Sequence, residues 1–149
     1  MTKEILLSLK GLQIENPQGE EQEIETITPG EYYKRNGSHY VIYDEVTEGF
    51  SDITRSMIKF KESSLEVSKK GLFNVHMIFE EKKKNMTSYD TPYGNILIGI
   101  DTQSVRIREE EDNIRVDVDY VLEANYQHLA DCRIEMNVCS REKGLELYP

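Results

Sequence analysis

From Ile114 to Tyr126 the chain changes character at every step. Ile114, Val116, Val118, Tyr120, Leu122, Ala124 and Tyr126 alternate with Arg115, Asp117, Asp119, Val121, Glu123 and Asn125. A period of two is the signature of an extended strand with one face buried and one face in water. The same parity continues to Val138. An uninterrupted strand of that length would reach roughly 80 Å, too long for a small domain, so a reversal is expected near Asn125 to Leu129.

Weaker copies of the alternation fill the rest of the chain. Ile5, Leu7 and Leu9 share one parity in a strand running toward Ile14, and Asn16-Pro17-Gln18-Gly19 reads as its turn. The next strand, from Glu20 to about Tyr33, places Ile24, Thr26 and Thr28 on one side and meets Pro29-Gly30, where a bulge or bend is expected. Asn36-Gly37, between Tyr32-Tyr33 and His39 to Tyr43, is a type I′ hairpin signal because both central residues need φ > 0. Met57 to Lys61 and Leu65 to Val67 give two short strands joined at Glu62 to Ser64, and Lys69-Lys70-Gly71 turns the chain again. Phe73, Val75, Met77 and Phe79 share a face, a hairpin tip is expected at Lys82 to Asn85, and Thr87, Tyr89, Thr91 and Tyr93 follow on one face. Ile96, Ile98 and Ile100 are even-numbered whereas Val105 and Ile107 are odd, which requires an irregularity across Asp101 to Ser104.

No segment holds a helical period over ten residues, and no internal repeat appears. Nine or ten strands joined by tight turns predict an all-β fold, and an up-and-down meander of that many strands removes its edges by closing on itself. The expectation is one antiparallel up-and-down β-barrel of about 8–10 strands over residues 1–143, with a two-sheet sandwich as the alternative. Residues 144–149 have no partner pattern and read as a disordered tail or an added remnant.

Composition narrows what such a barrel could do. A chain of 149 residues is large enough to bury a core without disulfides or a structural metal. Cys132 and Cys139 lie on opposite parities of one strand, roughly 23 Å apart if it is fully extended, so they cannot bridge each other, and two free thiols suggest a reducing compartment. The first ten residues lack a run long enough for a signal segment or membrane span, and a cytoplasmic location is the expectation. A formal net charge of −10 repels phosphate backbones and anionic lipid, which argues against nucleic-acid and membrane partners.

Candidate chemistry is sparse. His39, His76 and His128 stand apart, none with a second ligand at metal spacing, and read as solvent-facing or turn residues. The cysteines lack C-x-x-C spacing, and no phosphate loop or nucleophile elbow is present, so no catalytic residue, metal or cofactor is assigned. Glu109-Glu110-Glu111-Asp112 lies between two strands and reads as solvated. Glu45 shares parity with His39, Val41 and Tyr43, which points it inward or to a rim. In Asn85 to Asn95, Pro92 and Gly94 set a reversal; its tyrosines read either as rim packing or as a row of hydroxyls, Tyr89, Thr91 and Tyr93, beside an internal cavity.

Thr91-Pro92-Tyr93-Gly94 before an Ile/Leu-rich strand, Tyr40-Val41-Ile42-Tyr43-Asp44-Glu45, Met57-Ile58-Lys59-Phe60 and the Tyr120-Val121-Leu122 strand stand in an order and spacing that resembles the YwiB-like family of small bacterial proteins. The resemblance spans about Ile5 to Val138 and implies a calycin-type, lipocalin-like barrel with no assigned function. It carries no catalytic residue over to this sequence.

Three functions follow as expectations. The first is a non-catalytic barrel that binds a small, partly apolar molecule in its interior or mouth through Tyr89, Thr91, Tyr93 and Tyr120, with Tyr40 and Glu45 next. The second is a protein-interaction or homodimeric module with a packed interior, working through an outer face that includes Tyr32, Tyr33, Asn74, His76 and Ile78. An enzyme ranks last, because the titratable residues do not converge in sequence.

Overall fold

The computed structural model describes residues 3–11 and 25–147. Ten antiparallel strands run in order: β1 (Glu4–Lys10), β2 (Glu25–Arg35), β3 (Ser38–Val46), β4 (Ile53–Lys61), β5 (Ser64–Lys70), β6 (Val75–Glu80), β7 (Lys83–Thr91), β8 (Gly94–Glu110), β9 (Asn113–Ala124) and β10 (Gln127–Ser140). Strands adjacent in sequence are neighbours in space, and β1 pairs with β10 to join the two halves. The result is a single up-and-down β-barrel, closed everywhere except along a seam between β6 and β7. There the backbones meet through one isolated bridge, in which Asn74 and Asp90 exchange N–H···O bonds of 2.9 Å. The turn at Asn16 to Gly19 and the strand start at Glu20 lie outside the described residues.

Turn chemistry explains the reversals. Asn36 and Gly37 adopt φ of 52° and 79°, as a type I′ hairpin requires, and Asn125 and Tyr126 at 51° and 66° break the long even-parity run into β9 and β10. The β6–β7 reversal falls at Glu81 and Lys82, the latter with φ 62°, at the very start of the expected tip, since Lys83 to Asn85 already belong to β7. The parity change in β8 is a bulge between Thr102 and Ser104.

Register stacks the inward residues of β3 to β6 in layers. One row is His39, Phe60, Leu65 and Phe79; the next is Val41, Ile58, Val67 and Met77; the third is Tyr43, Ser56, Lys69 and Val75. Leu7, Leu9, Val116, Val118, Ile134, Met136 and Val138 face them from the other half. A void wide enough for water would leave accessible surface on the side chains around it, yet Val41, Ile58, Val67, Phe79, Val116, Val118 and Ile134 have essentially none. The middle of the barrel is packed, not hollow.

One local feature departs from the sequence reading. Pro29-Gly30 makes no bulge: β2 stays in register with β1 throughout, but its ladder with β3 stops at Glu31–Ile42. A side chain at Gly30 would come within 2.8 Å of the Ile42 carbonyl oxygen, so this close approach needs glycine. Below it, β2 and β3 share no ladder pairs. At the other terminus, Arg141–Leu147 forms a short helix, α1. Gly144 lies on Leu6, and the buried Cys139 thiol, held above its usual pKa by burial, donates to the Leu6 carbonyl at 3.7 Å.

Candidate functional site

Each end of the packed core carries polar residues facing inward. At the end where β3 finishes and β4 begins, Tyr43, Ser56 and Lys69 occupy successive positions of one cross-strand row, and Glu45 sits two residues nearer the opening. The Lys69 side chain is only 6% exposed, and its ammonium lies 3.0 and 3.3 Å from the two Glu45 carboxylate oxygens. The Ser56 hydroxyl donates to Glu45 Oε1 at 3.2 Å. A lysine so deeply placed needs an ionic partner, because desolvating an ammonium costs several kcal/mol, of order 20 in the idealised limit.

Tyr43 completes the row. Its phenol is buried within reach of Glu45 and Ser56, both close enough to act on it, but forms a well-aligned hydrogen bond with neither. Burial, and then the neighbouring Glu45 charge, drive its pKa far above the usual tyrosine value, so the group is a committed O–H donor. A buried polar atom without a partner costs about 1–3 kcal/mol and calls for a functional or structural reason. Glu45 keeps 24% of its side chain in contact with solvent, whereas Tyr43, Ser56 and Lys69 behind it are buried. The neighbouring sector is shut: the Phe73 amide donates to Thr54 Oγ1 at 3.3 Å, and Phe73 lies against Tyr89 with ring centres 6.1 Å apart.

The opposite end is clasped. The Tyr32 hydroxyl lies 2.7 Å from His39 Nδ1, and Glu109, on the long β8–β9 hairpin, lies 3.6 Å from His39 Nε2 and 3.5 Å from Lys34 Nζ. The His39 ring stacks on Phe60 at 4.8 Å. Beside this network is a surface cleft of about 450 Å³ edged by Lys3, Tyr32, Lys34, Glu109 and Ile114. Burial holds the His39 pKa below the ordinary histidine value, with Glu109 opposing and Lys34 adding to the effect.

With ten strands and an end cluster in place, the comparison with known proteins decides the family. The family described as "Domain of unknown function (DUF1934)" matches residues 7–136. The chain belongs to the DUF1934 family. Among solved structures, this DUF1934 protein is similar to the ywiB protein from Bacillus subtilis, with 18% identity, a TM-score of 0.72, and coverage of 91% of this chain and 89% of that one. Likeness at that identity shows the fold, and the YwiB-like character read from the sequence agrees with it. No curated protein matches the chain.

The six residues nominated from the sequence of this DUF1934 protein do not converge. Glu45 faces inward as expected and belongs to the cluster. Tyr89 and Tyr120 are buried in packing: Tyr120 meets Phe79 edge-on at 5.0 Å and donates to the Gly11 carbonyl at 3.3 Å. Thr91 closes its own turn, donating to the Gly94 carbonyl at 2.9 Å and accepting from the Tyr93 amide. Tyr93 stands on the outer rim, 85% exposed, edge-on to Phe50 at 6.3 Å. Tyr40 lies on the outer wall, stacked on Tyr33 at 4.7 Å under the Lys59 ammonium. Tyr32, expected on an outer face, points inward and is buried, and His39 is buried rather than solvent-facing.

Tyr43, Ser56 and Lys69 were missed. The signal was present: Lys69 has the parity of Leu65 and Val67, and a charge on the buried parity of a short strand is out of place unless it is paired. Among the described residues no group of His, Cys, Asp and Glu could hold a metal ion, and no helix is long and apolar enough to cross a membrane.

Proposed function

We propose that this DUF1934 protein is a non-catalytic binding module that takes a small, partly apolar molecule at the Glu45 end of its barrel, with the polar part of the ligand against Tyr43, Glu45 and Lys69. The observation that carries the reading is the Tyr43 phenol, buried without a well-aligned hydrogen bond beside the Lys69–Glu45 pair. A row of donors that stays incomplete in a folded protein suits recognition, since an incoming oxygen supplies the missing acceptor. The packed middle of the barrel argues for the mouth over the interior as the place of binding.

The packed core also suits a protein-interaction or homodimeric module working through an outer face. That reading leaves the incomplete row without a use.

The test uses four-carbon probes that differ in head group: butanol, butyramide, butyrate and butylammonium, titrated into isotope-labelled protein and followed by amide chemical shifts. At least one is expected to give saturable shifts centred on Tyr43, Glu45, Ser56 and Lys69, abolished in Tyr43→Phe. Shifts confined to the His39 end, or none with any probe, would overturn the proposal.

A further inference from the structure

We infer that the ligand is a neutral amphiphile, an alcohol, amide or ketone head on an aliphatic chain, with the head on the Tyr43–Lys69 row and the chain lying outward over an apolar rim. The inference rests on the reading above and adds to it the charge of the head and the path of the tail.

Head-group charge follows from counting what the cluster already holds. Lys69 and Glu45 balance each other at 3.0 Å, and Ser56 already donates to Glu45. The groups left over are donors, the Tyr43 O–H and the remaining ammonium hydrogens of Lys69. An oxygen acceptor satisfies them. A carboxylate or ammonium would bring a net charge to a balanced, largely desolvated pair and be repelled by one member of it.

The path of the tail follows from what surrounds the opening. The packed middle of the barrel leaves no room for an aliphatic chain, so the chain must run outward. Immediately outside Glu45 and Thr54, the next cross-strand pair is Val46 with Ile53, 77% and 54% exposed. Phe50, on the connection between these two strands, meets Tyr93 edge-on, which extends the patch across to the β7–β8 turn. Three exposed side chains, Val46, Ile53 and Tyr93, and the half-buried Phe50 thus lie near a polar row that has spare donors. An isolated exposed apolar residue needs no explanation, but a contiguous patch beside a polar opening does.

Calorimetric titration with probes of fixed head or fixed chain separates the two parts. Because an aliphatic chain half-covered by protein gains a factor of about 2–3 per methylene, 1-octanol is expected to bind roughly 30-fold tighter than butanol. Octanamide should behave like octanol, with octanoate and octylammonium at least about 10-fold weaker. A Val46→Ser/Tyr93→Ser variant, altered only at exposed positions, should remove most of the octanol advantage over butanol. Octanoate or octylammonium binding as tightly as octanol would overturn the neutral head, and an octanol advantage untouched by the rim variant would overturn the tail path. If butanol and butyramide still shift the Tyr43 row in either case, the binding function stands and only the amphiphile inference fails.

Discussion

Lys69 shows how one residue can be both a folding liability and a functional asset. Its neighbours in β5, Leu65 and Val67, are core residues, and a methionine of similar length would continue their stripe without any ion to desolvate. Removing the ammonium alone strands Glu45 in a partly buried position. Lys69→Met is expected to cost about 3 kcal/mol, near the lower end for breaking a buried pair because Glu45 retains some water contact. Adding Glu45→Met should restore most of that loss, and urea unfolding of the two single variants and the double variant measures the coupling. A double variant no more stable than Lys69→Met would mean that the lysine contributes through something other than this pair. The Lys69–Glu45 pairing itself was not readable in sequence, because two residues 24 positions apart meet only once the β3–β4–β5 register is set, whereas the inward direction of each was.

At the scale of elements, parity and turn residues specified the strands, and what escaped was where strands part. The even-to-odd switch announced the bulge at Thr102 to Ser104, and Asn36-Gly37 announced its hairpin. The sequence could not show that the β2–β3 ladder ends at Glu31, since pairing extent depends on how two strands diverge in space. Nor could it show that the β8–β9 hairpin outreaches its neighbours far enough for Glu109 to meet His39 and Lys34. That clasp gives a pH signature. The groups facing His39 are Tyr32 and Lys34 from β2, Phe60 from β4 and Glu109 from β8. With its folded pKa below the unfolded value near 6.5, His39 binds its proton more readily in the unfolded chain. Stability from this source is therefore intact above about pH 6.5 and declines as pH falls through that value toward the depressed folded pKa. Urea midpoints between pH 7.5 and 5 should drop in the wild-type chain, and His39→Gln should flatten the drop. An unchanged slope would show that other groups dominate.

For the whole molecule, closure is uneven. Every neighbouring pair of strands shares a ladder except β6 and β7, which share one bridge and the side-chain bond from Asn85 Nδ2 to the Ile78 carbonyl at 3.3 Å. Local opening begins where backbone hydrogen bonds are few. In native-state hydrogen exchange, amides of β6 and β7 that face the seam should exchange well before those of β9 and β10. Equal protection around the barrel would contradict the seam. All-β class, strand count and the up-and-down order were legible because they follow from local alternation and short turns. The position of the seam was not, because β6 and β7 carry the same alternation as strands that do pair.

The place of β1 has a bearing on how the chain is made. Its partners are β2, close behind it, and β10, for which Leu7 must wait until Val138 has been synthesised. Until then the ribosome exposes Ile5-Leu6-Leu7 on a ribbon with one bare flank, an invitation to premature association that only the last strand withdraws.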